Sequence, residues 1–160
     1  MGAVGFRRRA AALLEGLGEQ DLRSAVALLE AVTRFAGSTV GPFGEVVGLE
    51  RVHQEAGRCA FRLAGGAHLL NPYGVLHGGV LFAAMDTSMG GAVASLLDPS
   101  ERCATIEAKV NYVAGATGGP VRAEAEVVHR GGRLLVLAAR ATAEDGGLLA
   151  LMSGSFLVTR

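Results

Sequence analysis

With one lysine, two cysteines and no net charge, this 160-residue chain lacks what several function classes require. Its 15 basic and 15 acidic residues cancel, so no global field draws it to nucleic acid or to an anionic membrane. Lys109 is the single lysine, and the arginine bias reads as genomic base composition rather than mechanism. Cys59 and Cys103 lie far apart, with no histidine at zinc-ligand spacing, so neither a disulfide framework nor a metal site is expected. That pattern suits a reducing compartment, and a cytoplasmic location is expected. Glu15, Glu19 and Asp21 interrupt any signal-peptide core near the amino terminus, and Phe6 stands where a myristoylation motif wants serine or threonine. A lysine-bearing phosphate loop, a dinucleotide-binding glycine fingerprint after a strand and a G-x-S-x-G elbow are all missing.

Half of the residues are hydrophobic and 19% are charged, the composition of a folded domain with a substantial core. From Phe6 to Phe35, leucines and valines recur at helical spacing, broken by Gly16 and Gly18, which predicts one or two amphipathic helices. A weakly patterned bridge covers residues 36–44. Residues 1–44 therefore form an N-terminal helical extension and 45–160 the main domain. Residues 45–53 and 57–64 read as a hairpin, and 66–77 as a loop holding Asn71-Pro72-Tyr73-Gly74. Gly78 to Leu97 is apolar or small almost all round, which predicts a helix buried on every side and stopped by Asp98-Pro99. As a membrane span it would place Asp86 mid-bilayer at roughly 2.5–3.5 kcal/mol, so a core helix is preferred. Residues 103–114 and 120–130 alternate as half-buried strands, and turns at Gly131-Gly132 and Asp145-Gly146-Gly147 link two more. Two strands, a central helix and four strands joined by tight turns give an α+β fold, the long helix wrapped by a curved antiparallel sheet of about six strands.

Asp86 is the one charge within that apolar helix, and a buried carboxylate must shift its pKa, find a partner or line a cavity. Pairing with Thr87 or with a sheet arginine is the structural explanation; a general base or nucleophile is the chemical one. His77-Gly78-Gly79 opens the same helix, where free N–H groups and positive partial charge polarise an approaching carbonyl oxygen. Gly78 and Asp86 are eight residues apart, roughly 12 Å along the helix axis. If they serve one carbonyl they come from different copies of the chain, which predicts a dimer with two composite sites.

The pattern Asn71-x-x-Gly74-x-x-His77-Gly78-Gly79 followed by Asp86-Thr87, extended by "TIEAKVNYV" and "VVHRGGRLL", resembles the hot-dog-fold acyl-CoA thioesterases of the phenylacetate-pathway type, related to the hydroxybenzoyl-CoA thioesterases. The resemblance covers roughly residues 45–160 and implies a hot-dog fold, dimers assembling into tetramers, and no cofactor beyond the coenzyme A of the substrate. It implies that the Gly78 N–H polarises the thioester carbonyl while Asp86 of the facing subunit attacks it or activates water. Asn71 would orient water or carboxylate, His77 would position the thioester and its leaving sulfur, and Thr105 would lie near Asp86. Gly79, Thr87 and Tyr112 would contact substrate, and His129, Arg130 and Arg133 would hold the nucleotide of coenzyme A by forked guanidinium donors. Gly90 stands where several relatives carry a hydroxyl one turn after the acid, and Thr87 or Ser88 would have to substitute.

The expected function is hydrolysis of an aryl- or medium-chain acyl-CoA. The alternatives are a non-catalytic acyl-CoA-binding module, which has no need of Asp86, and an enoyl-CoA hydratase on the same fold. Phe82, Met85, Met89 and Tyr112 could line the acyl pocket, although such residues are more often plain core.

Overall fold

The computed structural model describes residues 2–160, and the chain parts into two units between Val46 and Val47. The first unit is helical, with α1 at Ala3–Glu15, α2 at Glu19–Arg34 and all but the last residue of α3 at Gly41–Val47. Gly16 and Gly18 separate α1 from α2, and α2 starts with Glu19 and Asp21 and ends with Arg34, charges that complement its dipole. The region expected as bridge and strand over 41–47 is instead helix. Pro42 suits a first helical turn, and Gly41 at φ +71° supplies the reversal that launches it. Arg34 Nε donates to Glu45 at 2.7 Å, tying the end of α2 to α3.

The second unit carries β1 (Leu49–Glu55), β2 (Arg58–Leu63), α4 (Gly78–Ala94), β3 (Arg102–Tyr112), β4 (Val121–Gly131), β5 (Leu134–Ala143) and β6 (Leu148–Thr159). All six strands join in one antiparallel sheet in the order β1-β2-β4-β5-β6-β3, and α4 lies across it, confirming the α+β hot-dog arrangement. The chain leaves β2, runs through α4 and re-enters at the far edge, so β3 pairs with β6 alone.

Two expectations are corrected here. Strand β3 is mostly exposed rather than half-buried, with Ile106 at 57% exposure, because it is an edge strand and a bulge between Thr105 and Glu107 interrupts its alternation. Nor is α4 buried on every side. Leu81, Ala84, Met85, Ser88, Met89, Ala92 and Val93, at helical spacing, form the face against the sheet. Asp86, Thr87 and Gly90 are only partly covered and Gly79 and Ala94 are exposed, since the sheet curves over one side of the helix. Ser88 is the buried polar side chain of this core, and its hydroxyl lies 2.8 Å from the Ala84 carbonyl and 3.1 Å from that of Ala123. Helix α4 ends at Ala94 rather than Leu97, where the Ser95 hydroxyl donates to the Ala92 carbonyl and accepts from Gly57 N–H.

Helix and sheet come close at Gly91, where an added Cβ would stand 2.6 Å from Cys59 Sγ and 3.2 Å from its Cβ. Gly91→Ala gains helix propensity but forces the packed Cys59 aside, so a net loss of about 1–2 kcal/mol is expected. Thermal unfolding checks this, as a midpoint lowered by several degrees.

Candidate active site

The loop leading into α4 is built by Asn71. Its Oδ1 accepts from Tyr73 N–H at 2.9 Å and Val75 N–H at 3.3 Å, while Gly74, at φ +74°, closes the turn with its N–H on the Asn71 carbonyl. The side-chain oxygen of Asn71 is thus engaged with its own turn and shapes the loop, while its Nδ2 makes no hydrogen bond among the described residues. His77 caps the helix. Its Nδ1 accepts from Gly79 N–H at 2.9 Å, which leaves Nε2 to carry the ring proton, and its carbonyl accepts from Val80 N–H. Gly79 therefore offers no open donor, whereas the Gly78 N–H has no acceptor among the described residues. Tyr112, at the end of β3, donates its hydroxyl to the Gly78 carbonyl at 2.9 Å and lies so close that a Cβ on Gly78 would meet its ring at 3.0 Å. Leu76, Leu81, Val113 and Gly115 continue this spot into a small cleft at the start of the helix.

Asp86 lies two turns further along, on the open side of α4. Its Oδ1 accepts from the Thr105 hydroxyl at 3.0 Å, and Thr105 stands at the β3 bulge. Thr105→Val keeps the shape and removes this bond to a charged acceptor, worth roughly 1.5–3 kcal/mol. If Asp86 is catalytic, kcat falls by about tenfold or more with KM nearly unchanged, which steady-state kinetics on a thioester substrate will show. Thr87 is partly exposed, and its side chain makes no hydrogen bond among the described residues.

Cys103, which no sequence motif singles out, lies near enough to feel this carboxylate. It lies two positions before Thr105 on β3, so period-two alternation was the signal that could have placed both beside the helix. Burial pushes the Cys103 thiol up, and the Asp86 carboxylate pushes it further in the same direction. A raised pKa means less thiolate at a given pH. Replacing Asp86 by asparagine removes the second cause, so alkylation of Cys103 near pH 8 should accelerate by about two- to threefold, read by mass spectrometry of the labelled peptide.

A third group gathers at the β4–β5 turn. Arg133 Nε donates to the Val158 carbonyl at 2.9 Å, and Arg130 and Arg133 line a recess with Glu101, Gly132, Val158 and Arg160. His129 is exposed on the same hairpin. Gly131 aligns with Leu134, Leu157 and Ala104 across successive strands, so this turn lies at the Thr105 end of the sheet, away from Tyr112. A single chain thus holds three separate groups: the Gly78 donor with His77 and Tyr112, Asp86 with Thr105 and Cys103, and the arginine turn. Among the described residues no group of three or more His, Cys, Asp or Glu could hold a metal ion, and no helix is long and apolar enough to cross a membrane.

The family model described as the thioesterase superfamily matches residues 73–150, which include the helix opening, Asp86 and Thr105. The 1,4-dihydroxy-2-naphthoyl-CoA hydrolase of Listeria monocytogenes is 30% identical over 107 residues, covering 67% of this chain and 87% of that protein. The structure of a conserved protein from Pseudomonas aeruginosa is 39% identical with a TM-score of 0.70, over 73% of this chain and 93% of that one. A Bacillus halodurans protein solved with CoA is 26% identical and superposes with a TM-score of 0.84, over 92% of this chain and 98% of its own. The helix laid across a six-stranded sheet and these relationships agree, and the chain belongs to the thioesterase superfamily.

Proposed function

We propose that this chain hydrolyses acyl-CoA thioesters, taking an aryl- or medium-chain acyl group, at composite sites formed by two copies. The observation that carries the reading is the division of labour along α4. The helix opens on a glycine N–H that no described residue accepts, and carries, too far away to meet it, a carboxylate on its more open face. Two such helices running antiparallel across a two-fold axis would set the Gly78 donor of one copy against the Asp86 carboxylate of the other. The exposed edge of β3 and the open side of α4 support this pairing, because a long unpaired strand edge invites a partner.

In this arrangement the thioester carbonyl oxygen accepts from Gly78 N–H, and negative charge developing there is stabilised by that donor and the positive end of α4. Asp86 either attacks the carbonyl carbon, to give an anhydride that water then opens, or takes a proton from the attacking water. In both cases the C–S bond breaks, the acid is released and the coenzyme A sulfur leaves as thiolate. Thr105 holds the Asp86 side chain in one rotamer. His77, with its proton on Nε2, can donate toward the leaving sulfur, while its Nδ1 is committed to the helix cap. Arg130 and Arg133 suit the phosphates of the nucleotide, and the cleft beside Tyr112 suits the acyl chain. The reaction draws on these groups and water alone, in a dimer or a dimer of dimers.

A panel of aryl- and straight-chain acyl-CoA substrates, followed by thiol release, tests the activity and ranks the acyl groups. Absence of release across the panel, with coenzyme A still bound, would turn the reading to a binding module. Incorporation of solvent oxygen-18 into the Asp86 carboxylate in a single turnover would identify an anhydride opened at the aspartyl carbon, since general-base catalysis puts that oxygen only in the released acid.

A further inference from the structure

Helix α2 presents apolar residues to solvent in a pattern that an isolated helix does not need. Val26, Leu29 and Val32 are 48%, 52% and 54% exposed. Leu22, Val26, Leu29 and Thr33 follow one another at intervals of four, three and four residues, the spacing of a coiled-coil seam. Its other side is more covered, with Ala31 buried and Ala25 and Leu28 half-covered. Charge then selects an occupant. Arg23 and Glu30 directly follow the two seam leucines and so flank the seam on the same side. In an antiparallel pair of two α2 helices with Val26 facing the partner's Leu29, each Arg23 comes beside the partner's Glu30, giving two symmetric ion pairs. A parallel pair would leave both charges facing Gly18 or Ala25 instead. Within one chain Arg23 meets Glu19 in a pair fully open to solvent, which competes weakly, and Glu30 has no cation partner among the described residues.

We infer that α2 is a self-association surface whose partner is α2 of a second copy of this chain, packed antiparallel. A seam of this length is weak alone and gains from any other contact that keeps two copies together. The pairing does not depend on the proposed chemistry.

The test uses the full chain. Val26→Cys and Leu29→Cys chains are co-expressed and oxidised, with the parent chain as control for Cys59 and Cys103. The expected product is a cross-link between unlike chains, position 26 to position 29, at several-fold higher yield than between like chains. Arg23→Glu or Glu30→Arg alone should cut that yield several-fold, and the two together should restore it. Cross-links chiefly between like chains would overturn the antiparallel orientation. A yield no higher than the parent's, or one unmoved by the charge reversals, would overturn the pairing. Sedimentation of the same samples reports whether the chain is a dimer at all, so loss of this contact is distinguishable from loss of the dimer proposed for the active site.

Discussion

Asp86→Asn is expected to lower kcat for acyl-CoA hydrolysis by roughly 10²–10⁴-fold, the range for loss of a positioned general base, while coenzyme A still binds with near-parental affinity. The substitution is nearly isosteric. Its remaining carbonyl oxygen can still accept from Thr105, so the fold should hold, and thermal unfolding will verify that. What disappears is the negative charge, and with it both the capacity to attack a carbonyl carbon and the capacity to accept a proton from water. The arginines at the β4–β5 turn are untouched, so a binding assay with coenzyme A separates chemistry from recognition. A substituted enzyme that turns over at the parental rate would refute the mechanism.

The second large effect comes from Gly78, where two substitutions isolate the backbone donor. Both alanine and proline add a Cβ that presses on the Tyr112 ring, 3.0 Å away at its nearest atom, but only proline deletes the N–H. Proline is otherwise well suited to the first position of a helix, and His77, at φ −62° and ψ 131°, already has the extended backbone that a following proline demands. Gly78→Pro should therefore fall below Gly78→Ala in kcat by about 10²–10³-fold, the cost of removing one oxyanion donor. Equal activities would mean that the Gly78 N–H does not hold the oxyanion. The same variant tests the composite site. Mixed with Asp86→Asn chains in equal amounts, random pairing yields half mixed dimers, each with one intact site, and about a quarter of parental activity returns. No recovery after demonstrated subunit exchange would place donor and acid in the same chain.

The candidate site was legible where the chemistry is local. Helix α4 begins at His77-Gly78-Gly79 because a histidine able to accept a backbone hydrogen bond is followed by glycines at a free amino end, and residue types show this. The gap between Gly78 and Asp86 follows from helix rise alone. Thr105 was reached through family resemblance and not through spacing, since 19 positions and a chain reversal separate it from Asp86. Asn71 could be recognised as a turn former, but which atoms its side chain would satisfy could not. Residues 41–47 are not legible as helix because so short a segment offers less than two helical turns of pattern, and Pro42 favours a first turn as readily as a loop.

By itself the sequence determined the long helix and the strands that surround it, the opening of that helix, and the fact that its one carboxylate is out of reach of its own amino end. Each follows from period, caps and rise, which depend on neighbours in the chain. Only the tertiary structure decided that β3 lies at a sheet edge, that Thr105 reaches Asp86 with Cys103 close enough to feel its charge, and that the side of α4 bearing that carboxylate is left open. It also decided which N–H stays free, because the His77 ring folds back onto Gly79 and passes over Gly78. Those outcomes depend on which strands pair and how the sheet curves, a choice among long-range contacts that local residue patterns do not encode.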